Sequence, residues 1–254
     1  MRMSYRPDAR VSRRQLLTQV AAGVGALAAI ESAHAEPPEN VASSFAPTSE
    51  YTPQQVEGWR VLVHKRLPVD HPQSYADAMQ LLRHQLYQVL RAVPSEALAA
   101  LRKIPIWLEW NEPHHPCMVY HPDAGWLREH DMNPEKARCV EISNTQNFLS
   151  WTHEQPYMAL HELSHGYHHQ ALGFDHPEVL AAYKAAVESK TYESVLHING
   201  SKQRHYALTD EKEYFAELSE SYFGTNDFYP FVRPELNLHD PGGYRMIHKL
   251  WGVR

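Results

Sequence analysis

Pro156-Tyr157-Met158-Ala159-Leu160-His161-Glu162-Leu163-Ser164-His165-Gly166-Tyr167-His168-His169-Gln170-Ala171-Leu172-Gly173 is the stretch from which the rest of the chain is read. A proline opens it and a glycine follows its last apolar residue, the usual arrangement at the two ends of a helix. The pattern predicts a helix over residues 156–172. His161 and His165 are four residues apart, so a helix puts both imidazoles on one face about one turn apart. Two neutral imidazoles in that position suit one Zn²⁺ at about 2.0–2.1 Å. Glu162 starts from the neighbouring position and reaches water at such a metal without being a ligand, which suits a general base. His168 and His169 follow on the same helix. They are read as supporting or solvated groups rather than ligands.

A catalytic zinc takes three protein ligands and keeps a fourth position open. The metzincin pattern needs a glycine and a histidine where this chain has His168 and Ala171, so the third ligand is sought elsewhere. Downstream, Glu211-Lys212-Glu213-Tyr214-Phe215-Ala216-Glu217-Leu218-Ser219-Glu220 sets Glu213, Glu217 and Glu220 on one helical face. Three acids turned inward need a cation, because buried unpaired carboxylates are costly. The same spacing also fits a solvated acidic face, and spacing alone does not choose.

The segment Tyr206-Ala207-Leu208-Thr209-Asp210-Glu211-Lys212-Glu213-Tyr214-Phe215-Ala216-Glu217 resembles the distal zinc-site segment of the anthrax lethal factor type of metallopeptidase, a broad group that includes the Pro-Pro endopeptidases. The resemblance covers the two metal segments, about a quarter of the chain beyond the leader. It implies a zincin of gluzincin type, with Zn²⁺ on His161, His165 and Glu213. Glu162 is then the base, and Tyr206, seven residues before Glu213, the catalytic tyrosine. It also implies that Glu217 hydrogen-bonds a ligand histidine, a contact that fixes the imidazole tautomer. The fold it implies is α+β, a small twisted sheet over an active-site helix with a mostly helical C-terminal part.

Working outward, residues 58–63 read as a first strand. Ser74 and Asp77 suggest a capping-box start for a helix, and Ala78, Leu82, Leu86, Val89 and Val93 recur on one helical face. Pro94-Ser95 opens a shorter helix to about Arg102. Residues 104–110 are apolar and β-rich. Pro105 argues for an edge strand, a place where an extended peptide could pair. Residues 111–136 read as a long loop carrying His114, His115 and His121, taken as polar loop residues. Cys139-Val140-Glu141-Ile142 is a short strand. Further helices fit residues 177–188, 210–223 and the segment after Gly243. Strands and helices are mixed early and helices dominate late, which argues an α+β domain.

The N-terminus reads as an export signal. Arg13-Arg14 precedes an apolar run from Thr18 to Ile30, and Ala33-His34-Ala35 offers a cleavage site. The Arg pair suggests the twin-arginine route. The expected organisation is a leader over 1–35, a Pro/Ser/Glu-rich linker over 36–52 and a metallopeptidase domain over 53–254, placing the protein in the periplasm or outside the cell. The chain has 254 residues and a net charge of −6. Without the leader's excess of three positive charges the remainder is more acidic still, which argues against a nucleic-acid partner. No second apolar run suggests a membrane span. Cys117 and Cys139 are left open between one disulfide and two thiols. The expected activity is zinc-dependent hydrolysis of peptide bonds, with a peptide or protein as substrate. A zinc hydrolase of another amide and a non-catalytic, zinc-stabilised binding protein are the alternatives.

Overall fold

The computed structural model describes residues 45–253. The export signal read over residues 1–35 lies outside them, as do residues 36–44 of the stretch read as linker. Tyr51 and Thr52, assigned to that linker, open the first strand.

Strand β1 (Tyr51–Val56) turns back into β2 (Trp59–His64) through Glu57-Gly58. Both turn residues have positive φ, 51° and 93°, as a two-residue hairpin with the right twist requires. A single helical turn, α1 (Leu67–Asp70), leads to α2 (Pro72–Ala92) and α3 (Ser95–Leu101). Then come β3 (Ile106–Leu108), β4 (Met118–His121), α4 (Ala124–Glu129) and β5 (Cys139–Ile142). The rest is mostly helical: α5 (Thr145–Trp151), α6 (Met158–Tyr167), α7 (Pro177–Ser189), a two-residue hairpin pair β6 (Val195–Leu196) and β7 (Lys202–Gln203), α8 (Glu211–Phe223), α9 (Arg233–His239) and α10 (Pro241–Leu250). The architecture is α+β. No helix among the described residues is long and apolar enough to cross a membrane.

The main sheet has the order β1-β2-β3-β5-β4. Strands β2, β3 and β5 are parallel, and β1 and β4 run antiparallel at the edges. Alternation along each strand separates two faces. Val61, Val63, Ile106, Leu108, Val140 and Ile142 join the main core with Leu82 and Leu86 of α2 and Leu160 and Leu163 of α6. Leu62, Trp107 and Cys139 face the other way and pack with Tyr51. Each fully buried aliphatic side chain contributes about 1.5–3 kcal/mol. A one-residue slip of β5 would drive Glu141 into that core, so the register is strongly specified.

Three expectations are corrected, and the question left open for the cysteines is answered. Residues 104–110 do not form an edge strand, because β3 is paired on both sides, with β2 and with β5. Pro105 misleads because it precedes the strand and offers only its carbonyl, which accepts from Val140 N at 2.9 Å. The stretch 111–136 is not one loop, since it holds β4 and α4. The Ser74/Asp77 capping box does not form: α2 starts earlier, with Pro72 in its first turn, and Asp77 accepts from Gln73 Nε2. Cys117 and Cys139 are both free and buried, and they sit near opposite ends of the β4–β5 pair. Cys117 belongs to the main core and Cys139 to the smaller cluster on the other face, too far apart for the ~5.5–6 Å Cα separation a disulfide prefers.

Helix α6 lies against the sheet beside β4. A side chain at Gly166 would place its Cβ 2.5 Å from Ile104 Cδ1 and 3.2 Å from Tyr120 Cε2. Glycine at this position therefore permits the close approach of α6 to the sheet.

Candidate metal centre

Helix α6 carries His161, Glu162 and His165, all nearly or wholly buried. It runs on through a π-helical turn (His168–Leu172) to Gly173 at φ 89°, close to the helix read from the sequence. Helix α8 packs alongside. Its first turn is fixed by Asp210, whose carboxylate accepts from the N–H groups of Lys212 and Glu213, both at 2.9 Å. This capping aims Glu213 at α6.

Three atoms converge. His161 Nε2 and His165 Nε2 are 3.1 Å apart. Glu213 Oε2 is 3.0 Å from His161 Nε2 and 3.5 Å from His165 Nε2. Ligands 2.0–2.1 Å from one tetrahedral Zn²⁺ lie about 3.3 Å from each other, so the donor set fits that ion. Among the described residues no lysine or arginine pairs with the Glu213 carboxylate; its partners are the two imidazoles and the Tyr206 phenol. Burial works against charge on Glu213, but His165 and His161 outweigh it and hold its carboxyl well below the usual range.

The opposite side of His161 fixes which ring nitrogen faces the cluster. His161 Nδ1 is 2.5 Å from Glu220 Oε1 and 3.4 Å from Glu217 Oε1. A carboxylate there keeps the proton on Nδ1 and turns the Nε2 lone pair to the cluster. Between that lone pair, His165 and Glu213 must then stand a proton or a metal ion, and a metal ion serves all three at once.

The three acids share the face read in the sequence, and Glu217 stands beside His161 as expected, but a second acid stands there too. Glu220, rather than Glu217, makes the shorter contact with His161. Glu217 spans the gap, its Oε2 accepting from Asn226 Nδ2 at 2.8 Å. Both acids are buried. The sequence signal for Glu220 was its place seven residues after Glu213; nothing local distinguishes it from Glu217.

Tyr206 sits on a 3-10 turn (Tyr206–Leu208), with its hydroxyl 3.3 Å from Glu213 Oε1. His205 holds that turn: its Nδ1 accepts from Ala207 N at 3.1 Å, and its ring stacks on Phe228. Glu162 Oε2 accepts from the Tyr120 N–H of β4 at 2.9 Å, which ties the carboxylate to the sheet edge. His168 is buried between Phe174 and Phe215. Burial pushes its pKa down to about 3, so the ring is a neutral packing group rather than a solvated one. His169 hydrogen-bonds Tyr120 through Nδ1.

The loop histidines are not all loop residues. His121 is buried on β4, its Nε2 2.6 Å from Glu141 Oε2. His115 lies beside it, ring centroids 5.2 Å apart, whereas His114 pairs locally with Glu112. No family model, no curated protein and no solved structure matches the chain.

Proposed function

We propose that this chain is a zinc-dependent peptide hydrolase of zincin type, with His161, His165 and Glu213 as the metal ligands. The observation that carries the proposal is the mutual spacing of 3.0–3.5 Å among His161 Nε2, His165 Nε2 and Glu213 Oε2. A Zn²⁺ ion held there would supply Lewis acidity, polarising a carbonyl and lowering the pKa of water toward about 7.

The chain's own groups divide the remaining work. Glu162 accepts the proton of the attacking water and passes it to the leaving nitrogen. The N–H of Tyr120 holds one oxygen of Glu162 in place for this. The Tyr206 hydroxyl, within hydrogen-bond reach of Glu213, turns to the carbonyl oxygen as negative charge develops on it. Glu220 and Glu217 fix the His161 ring and keep its proton on Nδ1.

An extended peptide fits the open side of β4. Cys117 and His121 turn their carbonyls to β5, accepting from Ser143 N and Arg138 N. Alternation turns the peptide groups of Met118 and Tyr120 outward; Glu162 takes the Tyr120 N–H, and the Met118 peptide group and the Tyr120 carbonyl remain to face a substrate. Such an edge recognises a substrate by main-chain hydrogen bonds. This role moves from residues 104–110, where the sequence suggested it, to β4. Export, read from the leader, belongs to the same proposal and implies a substrate outside the cytoplasm.

Cleavage of a diverse peptide library by the zinc-loaded protein tests this reading, with Glu162→Gln and a chelator as controls. Cuts that vanish in both controls are expected, with zinc still bound in Glu162→Gln. Full activity of Glu162→Gln would overturn the mechanism.

A further inference from the structure

On the second face of the sheet lies a cavity of about 390 Å³, separate from the His161 cluster. The parallel strands β2 and β3 end side by side, and the chain leaves both through the cavity wall, at His64, the last residue of β2, with Arg66 beyond it, and at Glu109 and Trp110 after β3. Crevices at the carboxyl ends of parallel strands are common ligand sites, and this volume is in the range of small-molecule pockets.

Glu109 sets the chemistry. The residue is 7% exposed and lines the cavity. Its Oε1 takes both polar neighbours: Lys136 Nζ donates to it at 2.7 Å and the Tyr51 hydroxyl donates as well. Among the described residues, no hydrogen bond reaches Oε2. No group among them donates to this oxygen, and it is not sealed off from solvent, so it is left to bond whatever fills the cavity. Lys136 does not leave a surplus of positive charge, because it is shared with Glu141 Oε1 at 2.6 Å. Asp70 and Glu112 also line the cavity, but Asp70 pairs with Arg66 at 2.8 Å and Glu112 with His114 at 2.6 Å, so they only keep the lining from carrying a positive surplus.

The walls are aromatic. Trp110 stacks on His71 with ring centroids 3.5 Å apart and planes 10° apart, and Tyr51 stands edge-on to His64. Aromatic walls around a carboxylate suit a cation with an apolar body, through ring quadrupoles and a charge-assisted hydrogen bond.

We infer that this cavity binds a small organic cation, an ammonium or guanidinium group on an apolar or aromatic body, with Glu109 Oε2 as its hydrogen-bond acceptor. The site is independent of the zinc proposal and shares no ligand with it.

Titrating the full chain with benzylamine, benzyl alcohol and benzoate, with a chelator present so that no amine binds a metal, tests this. Calorimetry gives the affinities, and the Trp110 indole resonance reports the location. Saturable benzylamine binding is expected, at least tenfold tighter than either analogue, with the Trp110 signal shifting. Glu109→Gln is expected to reduce benzylamine to the affinity of benzyl alcohol. Trp110→Leu keeps Glu109 and its partners, is expected to weaken benzylamine severalfold, and decides the matter alone if Glu109→Gln fails to fold. Equal affinity for all three probes, no saturable binding, or binding indifferent to the folded variants would overturn the inference.

Discussion

The two faces of the main sheet both bury acids and histidines, and they neutralise them in different ways. On the outer face, Glu109, Glu141 and His121 gather around Lys136. Burial opposes the Glu141 charge, but the His121 hydrogen bond and Lys136 outweigh it and pull its pKa down to about 2. Burial likewise opposes the Lys136 charge, and Glu141 and Glu109 raise its pKa in spite of it. That cluster carries its own cation. On the inner face Glu213 meets two imidazoles and a phenol instead. The contrast sets a network that holds its own lysine beside one in which the proposed zinc would supply the positive charge.

Lys136→Met breaks the comparison most sharply. It strands two buried carboxylates, and the loss expected is about 3–5 kcal/mol of stability, measured by urea unfolding; zinc should not restore it. Tyr206→Phe probes the other face. It should fold and hold zinc while losing about 100- to 1000-fold in turnover, the usual scale for one oxyanion donor. Next come the two acids behind His161. Glu220→Gln should weaken zinc by about 10- to 100-fold, and Glu217→Gln by less, since its contact is longer; chelator competition ranks them.

The smallest effect concerns His168. Its folded pKa of about 3 lies below the ordinary 6.5, so the unfolded chain takes up a proton that the folded one refuses. The associated stability is complete above pH 6.5 and is lost as pH falls from there toward 3. His168→Phe removes that penalty. At pH 6 the variant should gain less than about 1 kcal/mol on the parent, and the gain should grow as the pH falls further, read from unfolding curves at several pH values.

How much of this the sequence disclosed depends on the range of the interaction. The spacing of His161 and His165 is fixed by helical geometry, so local pattern sufficed. Glu213 came from a resemblance, because spacing alone left an acidic helix face that could equally be solvated. The choice between Glu217 and Glu220 depends on how α8 is rotated against α6, which no local signal records. Strand β4 was hidden in a stretch rich in Pro and His, and β1 by Pro53, which an edge strand tolerates. The Lys136 network was not legible at all. His121, Glu141 and Glu109 meet only once β3, β5 and β4 pair, and before pairing each is an ordinary polar residue. The cysteines show the same limit, since only the pairing of β4 with β5 reveals that they lie apart.

The most direct measurement of the central claim is a zinc titration of the metal-free protein and of Glu213→Ala, in competition with a chromophoric chelator. The result expected is one tightly held equivalent in the parent and at least a 100-fold loss of affinity in the variant, the scale of losing one of three ligands. A parent that binds no zinc, or a Glu213→Ala protein that binds it as tightly as the parent, would contradict it.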